Sequence, residues 1–164
     1  MTLADLNASD RATFVGSTGW IFEDSPWVAE RAWPLRPFAT VDALHAAMVT
    51  IVETATAGER LALLRAHPDL GTRARMSDAS VDEQRGAGLD RLTREEFARL
   101  QEMNAEYRSR FGFPFLYAVK GSAKEDVLAA LVRRCVAPPD QEQAEAMRQV
   151  YRIARFRLDG MIGG

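Results

Sequence analysis

The sequence is poor in the residues that usually announce a chemistry. There is one cysteine, Cys135, so no intrachain disulfide can form, and a reducing, cytoplasmic setting is expected. Only two histidines, His45 and His67, occur in 164 residues. With one thiol they offer no ligand spacing for a zinc site, and no metal is expected. No glycine-rich phosphate loop and no nucleophile elbow occurs. No apolar run is long enough to span a bilayer, and "MTLADLNASD" lacks the basic and apolar regions of a secretory signal. Nor is the terminal "MIGG" a peroxisomal address. Twenty-one Lys and Arg stand against twenty-three Asp and Glu, so the basic excess that nucleic acid or a membrane surface requires is missing.

What remains is an ordinary soluble composition, 47% hydrophobic and 27% charged, in a chain of the size of one domain over residues 1–164. Helix signals dominate. Ser25 and Pro26 suit the cap and first position of a helix through "WVAERAW", which should stop where Trp33 meets Pro34. Thr40 precedes "VDALHAAMVTIVETA", with Leu44, Met48, Ile51 and Ala55 at helical spacing and Gly58 as its stop. "ERLALLRAH" forms the next helix and ends at His67-Pro68. Ser80 with Glu83, Thr93 with Glu96, and Ser122 with Glu125 read as capping boxes. The second opens a helix with Phe97, Leu100, Met103, Asn104, Tyr107 and Phe111 on one face, and the third opens "AKEDVLAALVRRC". A last helix carries Met147, Val150, Tyr151, Ala154 and Leu158 inward. No segment alternates as a strand does, and the proline in "FGFPFLYAV" argues against a central strand. The expectation is an all-α, single-domain bundle of about seven or eight helices without a sheet.

Four features could carry chemistry. His67 sits where helical backbone must end. A cation is welcome there on dipole grounds alone, but irregular chain also presents functional groups. Glu83 is explained by its capping box, yet a helix start can also receive an anionic or carbonyl-bearing ligand. "FGFPFLYAV" can be a packed loop, or a stretch whose amides, lacking helical partners, meet a planar amide-rich ligand. On the last helix, Arg155 and Arg157 flank the inward stripe on opposite sides, and periodicity barely separates them.

In combination these segments resemble the 2-oxo-4-hydroxy-4-carboxy-5-ureidoimidazoline (OHCU) decarboxylase family. The resemblance is carried by "HPDL" at 67–70, "SxxEQ" at 80–84 leading into "AGLDRLTREEF", "NxxYxxRFGFPF" at 104–115, and "AVKG" at 118–121. "SPWVAERAW", "RPF" at 36–38 and "IARFRL" near the end match as well, so the likeness runs from about residue 3 to residue 159. It implies an all-α, commonly homodimeric enzyme that decarboxylates an unstable product of urate oxidation to (S)-allantoin without a cofactor. It further implies that His67 is the catalytic proton donor and Glu83 the important acid. Pro68, the segment Ser80, Val81, Asp82, Glu83 and Gln84, and the helix arginine, matched by Arg157, would contact the substrate. Phe115, Leu116, Tyr117, Ala118 and Val119 would meet it largely through backbone. Two departures from the family pattern are visible: Gly71 stands where alanine is frequent, and the loop before Ser80 is shorter than in many relatives. A drift to decarboxylation or hydrolysis of a related ureide, and a non-enzymatic helical module docking a partner protein through "FGFPF", are the alternatives.

Overall fold

The structure, a computed structural model, describes residues 1–71 and 78–163. Among them are nine α-helices, one 3-10 turn and no strand, so the all-α expectation holds. The helices are α1 (Leu3–Ala8), α2 (Arg11–Thr18), α3 (Trp27–Ala32), α4 (Val41–Glu53), α5 (Ala57–Ala66), α6 (Asp78–Gly86), α7 (Arg94–Phe111), α8 (Lys124–Arg134) and α9 (Pro139–Ile162). None of these helices is long and apolar enough to cross a membrane. The chain divides into two compact units, one of Met1–Ala66 with Tyr151–Gly164, the other His67–Val150.

In the first unit, helix starts are set by short polar caps. Thr2 and Asp10 open α1 and α2, and the Thr40 hydroxyl accepts from Ala43 N–H at 3.0 Å to open α4. Ser25 does not cap α3. Its hydroxyl donates to the Glu23 carbonyl at 2.8 Å, and Pro26 takes the cap position without a side-chain bond. The inward stripe of α4 is Leu44, Met48 and Val52, whereas Ile51 and Ala55 are only partly covered. A spacing of three or four residues permits either continuation, and packing selects the four-residue one. Gly58 does not stop α4. It lies in the first turn of α5, because Thr56 and Glu59 form a capping box there, with bonds of 3.1 and 3.2 Å. The "RPF" motif also becomes intelligible. The Arg36 guanidinium donates to the carbonyls of Asn7, Ser9 and Trp33 at 2.5–2.8 Å, while Asn7 straps Phe38 through both its amide groups.

In the second unit, α7 follows expectation closely. Thr93 and Glu96 cap each other, Leu100, Asn104 and Tyr107 are buried, and Gly112 ends the helix at φ 80°. The Ser122–Glu125 box is displaced by one residue: Asp126 accepts from the Ala123 N–H at 2.9 Å, and Ser122 instead lies 3.3 Å from the Tyr117 hydroxyl. Ser80 is not an N-cap. α6 begins two residues earlier at Asp78, an acid suited to a first turn, which leaves Ser80 buried in the helix body. Residues 113–119 are irregular chain, with Phe113, Phe115, Leu116, Ala118 and Val119 all buried.

Gly71 is required by its backbone. At φ +70° a side chain is strained, and a Cβ there would overlap Leu100 Cδ2 and crowd Leu92 Cδ1 at 3.1 Å. Gly71→Ala is therefore expected to lose about 1–3 kcal/mol in a urea melt. The loop before Ser80, the other departure from the pattern, lies largely outside the described residues.

Candidate active site

α5 ends at Ala66, and His67 is the first residue beyond it, 6% exposed. The following proline prevents helical continuation, so the imidazole leaves from a corner, as the sequence predicts. Three side chains pin this corner. The Gly71 N–H donates to Gln84 Oε1 at 2.8 Å, Asn104 Nδ2 donates to the Leu70 carbonyl at 2.9 Å, and Arg108 Nη2 reaches Asp69 Oδ1 at 3.0 Å. Gln84 thereby ties the His67 corner to α6. The Asn104 Oδ1, also buried, has no hydrogen-bond partner among the described residues.

On α6, 100° of rotation per residue places Ser80, Glu83 and Gln84 on one side and Asp82 on the other. Ser80 and Gln84 are buried, Glu83 and Val81 half-buried, and Asp82 exposed. Because Ser80 is not a cap, the capping box does not account for Glu83. His67, Pro68, Ser80–Gln84 and Phe115–Val119 all belong to one compact unit, and Arg157 to the other.

Arg157 is separated from Arg155 by burial. Arg157 is 5% exposed, and its Nη2 bonds Glu23 Oε2 at 2.8 Å while Nη1 meets the carbonyls of Trp20 and Ile21 at 3.1 and 3.3 Å. Arg155 is a surface residue that pairs with Asp42 and Asp159.

The aromatic loop rests on a buried polar network that the sequence reading missed. Arg134 Nε donates to Glu142 Oε1 at 2.7 Å, and Nη2 lies 2.5 Å from the same oxygen, close enough for charge pairing but without hydrogen-bond alignment. Arg134 Nη1 donates to the Leu116 carbonyl, and the Tyr107 hydroxyl donates to Glu142. Burial and the neighbouring carboxylate push the Tyr107 phenol far above its ordinary range, so it stays a donor. Gln149 Oε1 accepts from the Ala118 N–H at 2.9 Å. A signal was present: Arg134 continues the buried stripe Val127, Ala130, Leu131, and Glu142 shares a face with Ala146, Gln149 and Val150. A charged residue in a buried stripe needs a partner.

Among the described residues, no three His, Cys, Asp or Glu side chains gather as metal ligands would. On offer are a buried imidazole, a half-buried carboxylate and a braced run of backbone amides, carried on an all-helical scaffold. These are the candidate groups of a small all-α protein. The OHCU decarboxylase family profile matches residues 7–159, and the chain belongs to that family.

The chain is 47% identical over 158 residues to the 2-oxo-4-hydroxy-4-carboxy-5-ureidoimidazoline decarboxylase of Haloferax volcanii, covering 96% of this chain and 94% of that protein. It is 45% identical over 161 residues to the uric acid degradation bifunctional protein PucL of Bacillus subtilis, covering 98% of this chain but only 33% of that longer protein. A crystal structure of (S)-allantoin synthase superposes with a TM-score of 0.79 at 34% identity, over 99% of this chain and 54% of that one.

Proposed function

We propose that this chain decarboxylates 2-oxo-4-hydroxy-4-carboxy-5-ureidoimidazoline to (S)-allantoin in urate degradation, with His67 and Glu83 as an acid–base pair. The observation that carries this reading is the near full-length likeness to a relative named for that activity, which extends over 96% of this chain and 94% of the relative. The substrate contains its own electron sink. Its hydroxyl and carboxylate share one ring carbon next to a C=N carbon. When the C–CO2 bond breaks, its electron pair forms a C=C bond and the C=N pair moves onto nitrogen, which takes up a proton from the medium, giving an enaminol and CO2. The protein has then to move protons and hold the ring, and needs no cofactor to accept electrons. Glu83 takes the hydroxyl proton as the ring carbonyl forms, and His67 delivers a proton to the neighbouring carbon from one face, which yields one enantiomer.

Pro68 and the face of α6 that bears Ser80, Glu83 and Gln84 contact the ring in this proposal, and the amides of 115–119 meet its N–H and C=O groups. The family resemblance assigns Arg157, which lies in the other compact unit, to a ureido or ring carbonyl. Its charge is already offset by Glu23, and a second tight carboxylate partner would stabilise the ground state and slow the reaction. A cytoplasmic homodimer belongs to the same reading. The homodimer rests on the family likeness, and a lone, buried Cys135 that forms no intrachain disulfide fits the reducing setting.

The test is stereoselective turnover of freshly generated substrate, followed by the circular dichroism of allantoin, since the spontaneous reaction gives a racemate. A cheaper companion is thermal melting with (S)-allantoin. At one hundred times its dissociation constant the ligand should add about 2.7 kcal/mol of stability and raise Tm. A protein-docking module or an enzyme for another ring would show neither effect.

A further inference from the structure

We infer that Gln149 and the Arg134–Glu142 pair are positioning residues that hold the backbone of 115–119 in one register for substrate. This rests on the function proposed above and adds residues that the family resemblance did not bring forward. The segment lacks secondary structure although most of it is buried, so its amides must find partners elsewhere. Two of them do so through side chains from helices distant in sequence. The Leu116 carbonyl accepts from Arg134 on α8, and the Ala118 N–H donates to Gln149 on α9.

Both holding groups have their own orientation fixed. Gln149 Nε2 donates to Glu145 Oε1 at 2.8 Å, and the Glu145 carboxylate can only accept. With a donor-only N–H on one side and an acceptor on the other, the Gln149 amide has one chemically consistent orientation. Burial alone would raise the Glu145 carboxyl, but the bonds from Gln149 and Arg148 hold it below its ordinary range, so it stays ionised at neutral pH. Arg134 is fixed by Glu142 below and by the Phe115 ring, 4.6 Å from its guanidinium carbon. Arg134 requires a carbonyl and Gln149 Oε1 requires an N–H. A slip of the segment by one residue takes the Leu116 carbonyl from Arg134 and the Ala118 N–H from Gln149. Stability alone does not explain the arrangement, because apolar residues of similar volume often serve a core as well as a buried ion pair does.

The experiment measures KM and kcat for freshly generated substrate, and the dissociation constant of (S)-allantoin, in the intact protein and in Gln149→Met and Arg134→Lys. Loss of one holding bond allows the segment to leave its competent arrangement, and affinity falls by the fraction that remains competent. At saturation the substrate restores that arrangement. KM and the allantoin dissociation constant should therefore rise together by about tenfold while kcat stays within about twofold. Folded variants with a lowered Tm but unchanged KM would overturn the inference and leave the function standing. An intact protein that neither turns over the substrate nor binds allantoin would overturn both. Amide hydrogen exchange on the intact protein needs no variant to fold. The Ala118 amide should be protected before ligand is added, and protection appearing only with allantoin would refute a preset register.

Discussion

His67→Ala is expected to lower kcat for stereoselective decarboxylation by about 10²–10⁴-fold while the protein stays folded. The fold should survive because three bonds that pin this corner, Gly71 to Gln84, Leu70 to Asn104 and Asp69 to Arg108, are made by other residues and remain in the variant. Turnover should fail because the ring is 6% exposed, where bulk water cannot replace the proton it delivers. The product reports this directly. The uncatalysed reaction continues in the variant, so allantoin still accumulates, but as a racemate whose circular dichroism vanishes even as its concentration rises. Glu83→Ala should give the same loss. The double variant should lose little beyond either single one, since two groups acting on one proton circuit are not additive. Wild-type rate and enantiomeric purity in His67→Ala would remove the imidazole from the mechanism. Arg157→Ala is a poorer test, because it removes a charge partner of the buried Glu23 carboxylate and confuses binding with folding.

Local signals were legible at several helix ends. Thr93 and Glu96 close their box as read, Gly112 takes the left-handed conformation that stops α7, and Pro68 ends α5. Errors arose where two local signals compete. Gly58 resembles a stop, but the Thr56–Glu59 box two residues earlier and one later starts a helix across it. Ser80 and Glu83 have the spacing of a box, but Asp78 begins the helix first. In both cases a helix that starts earlier carries the local signal inside it.

The site divides along the same line. His67 and the "FGFPF" loop were visible because proline imposes irregular backbone on them. Arg155 and Arg157 could not be told apart by periodicity, since that choice is made by Glu23, 134 residues away in the chain. The network beneath the loop was harder still. Tyr107, Arg134 and Glu142 lie on three helices, and no spacing rule links 107 to 142. Long-range polar pairing leaves one trace in a sequence, a charge placed in an apolar stripe, and Arg134 and Glu142 both have it.

That network supports the second large effect. Glu142→Leu should cost about 3–5 kcal/mol in a urea melt, because the Arg134 guanidinium, 5% exposed, keeps its charge and loses its counter-ion. The Tyr107 hydroxyl loses its acceptor at the same time. Arg134→Met combined with Glu142→Leu removes both charges and should recover much of that loss, so the two changes will be strongly non-additive. Activity should not follow stability. The double variant lacks the Arg134 donor to the Leu116 carbonyl, and KM should stay raised even where the melt has returned towards wild type. A double variant that recovers stability and KM together would mean that the pair only fills the core. Recovery of the melt alone assigns the ion pair to holding the loop, and explains why a buried charge persists where leucine and methionine would pack.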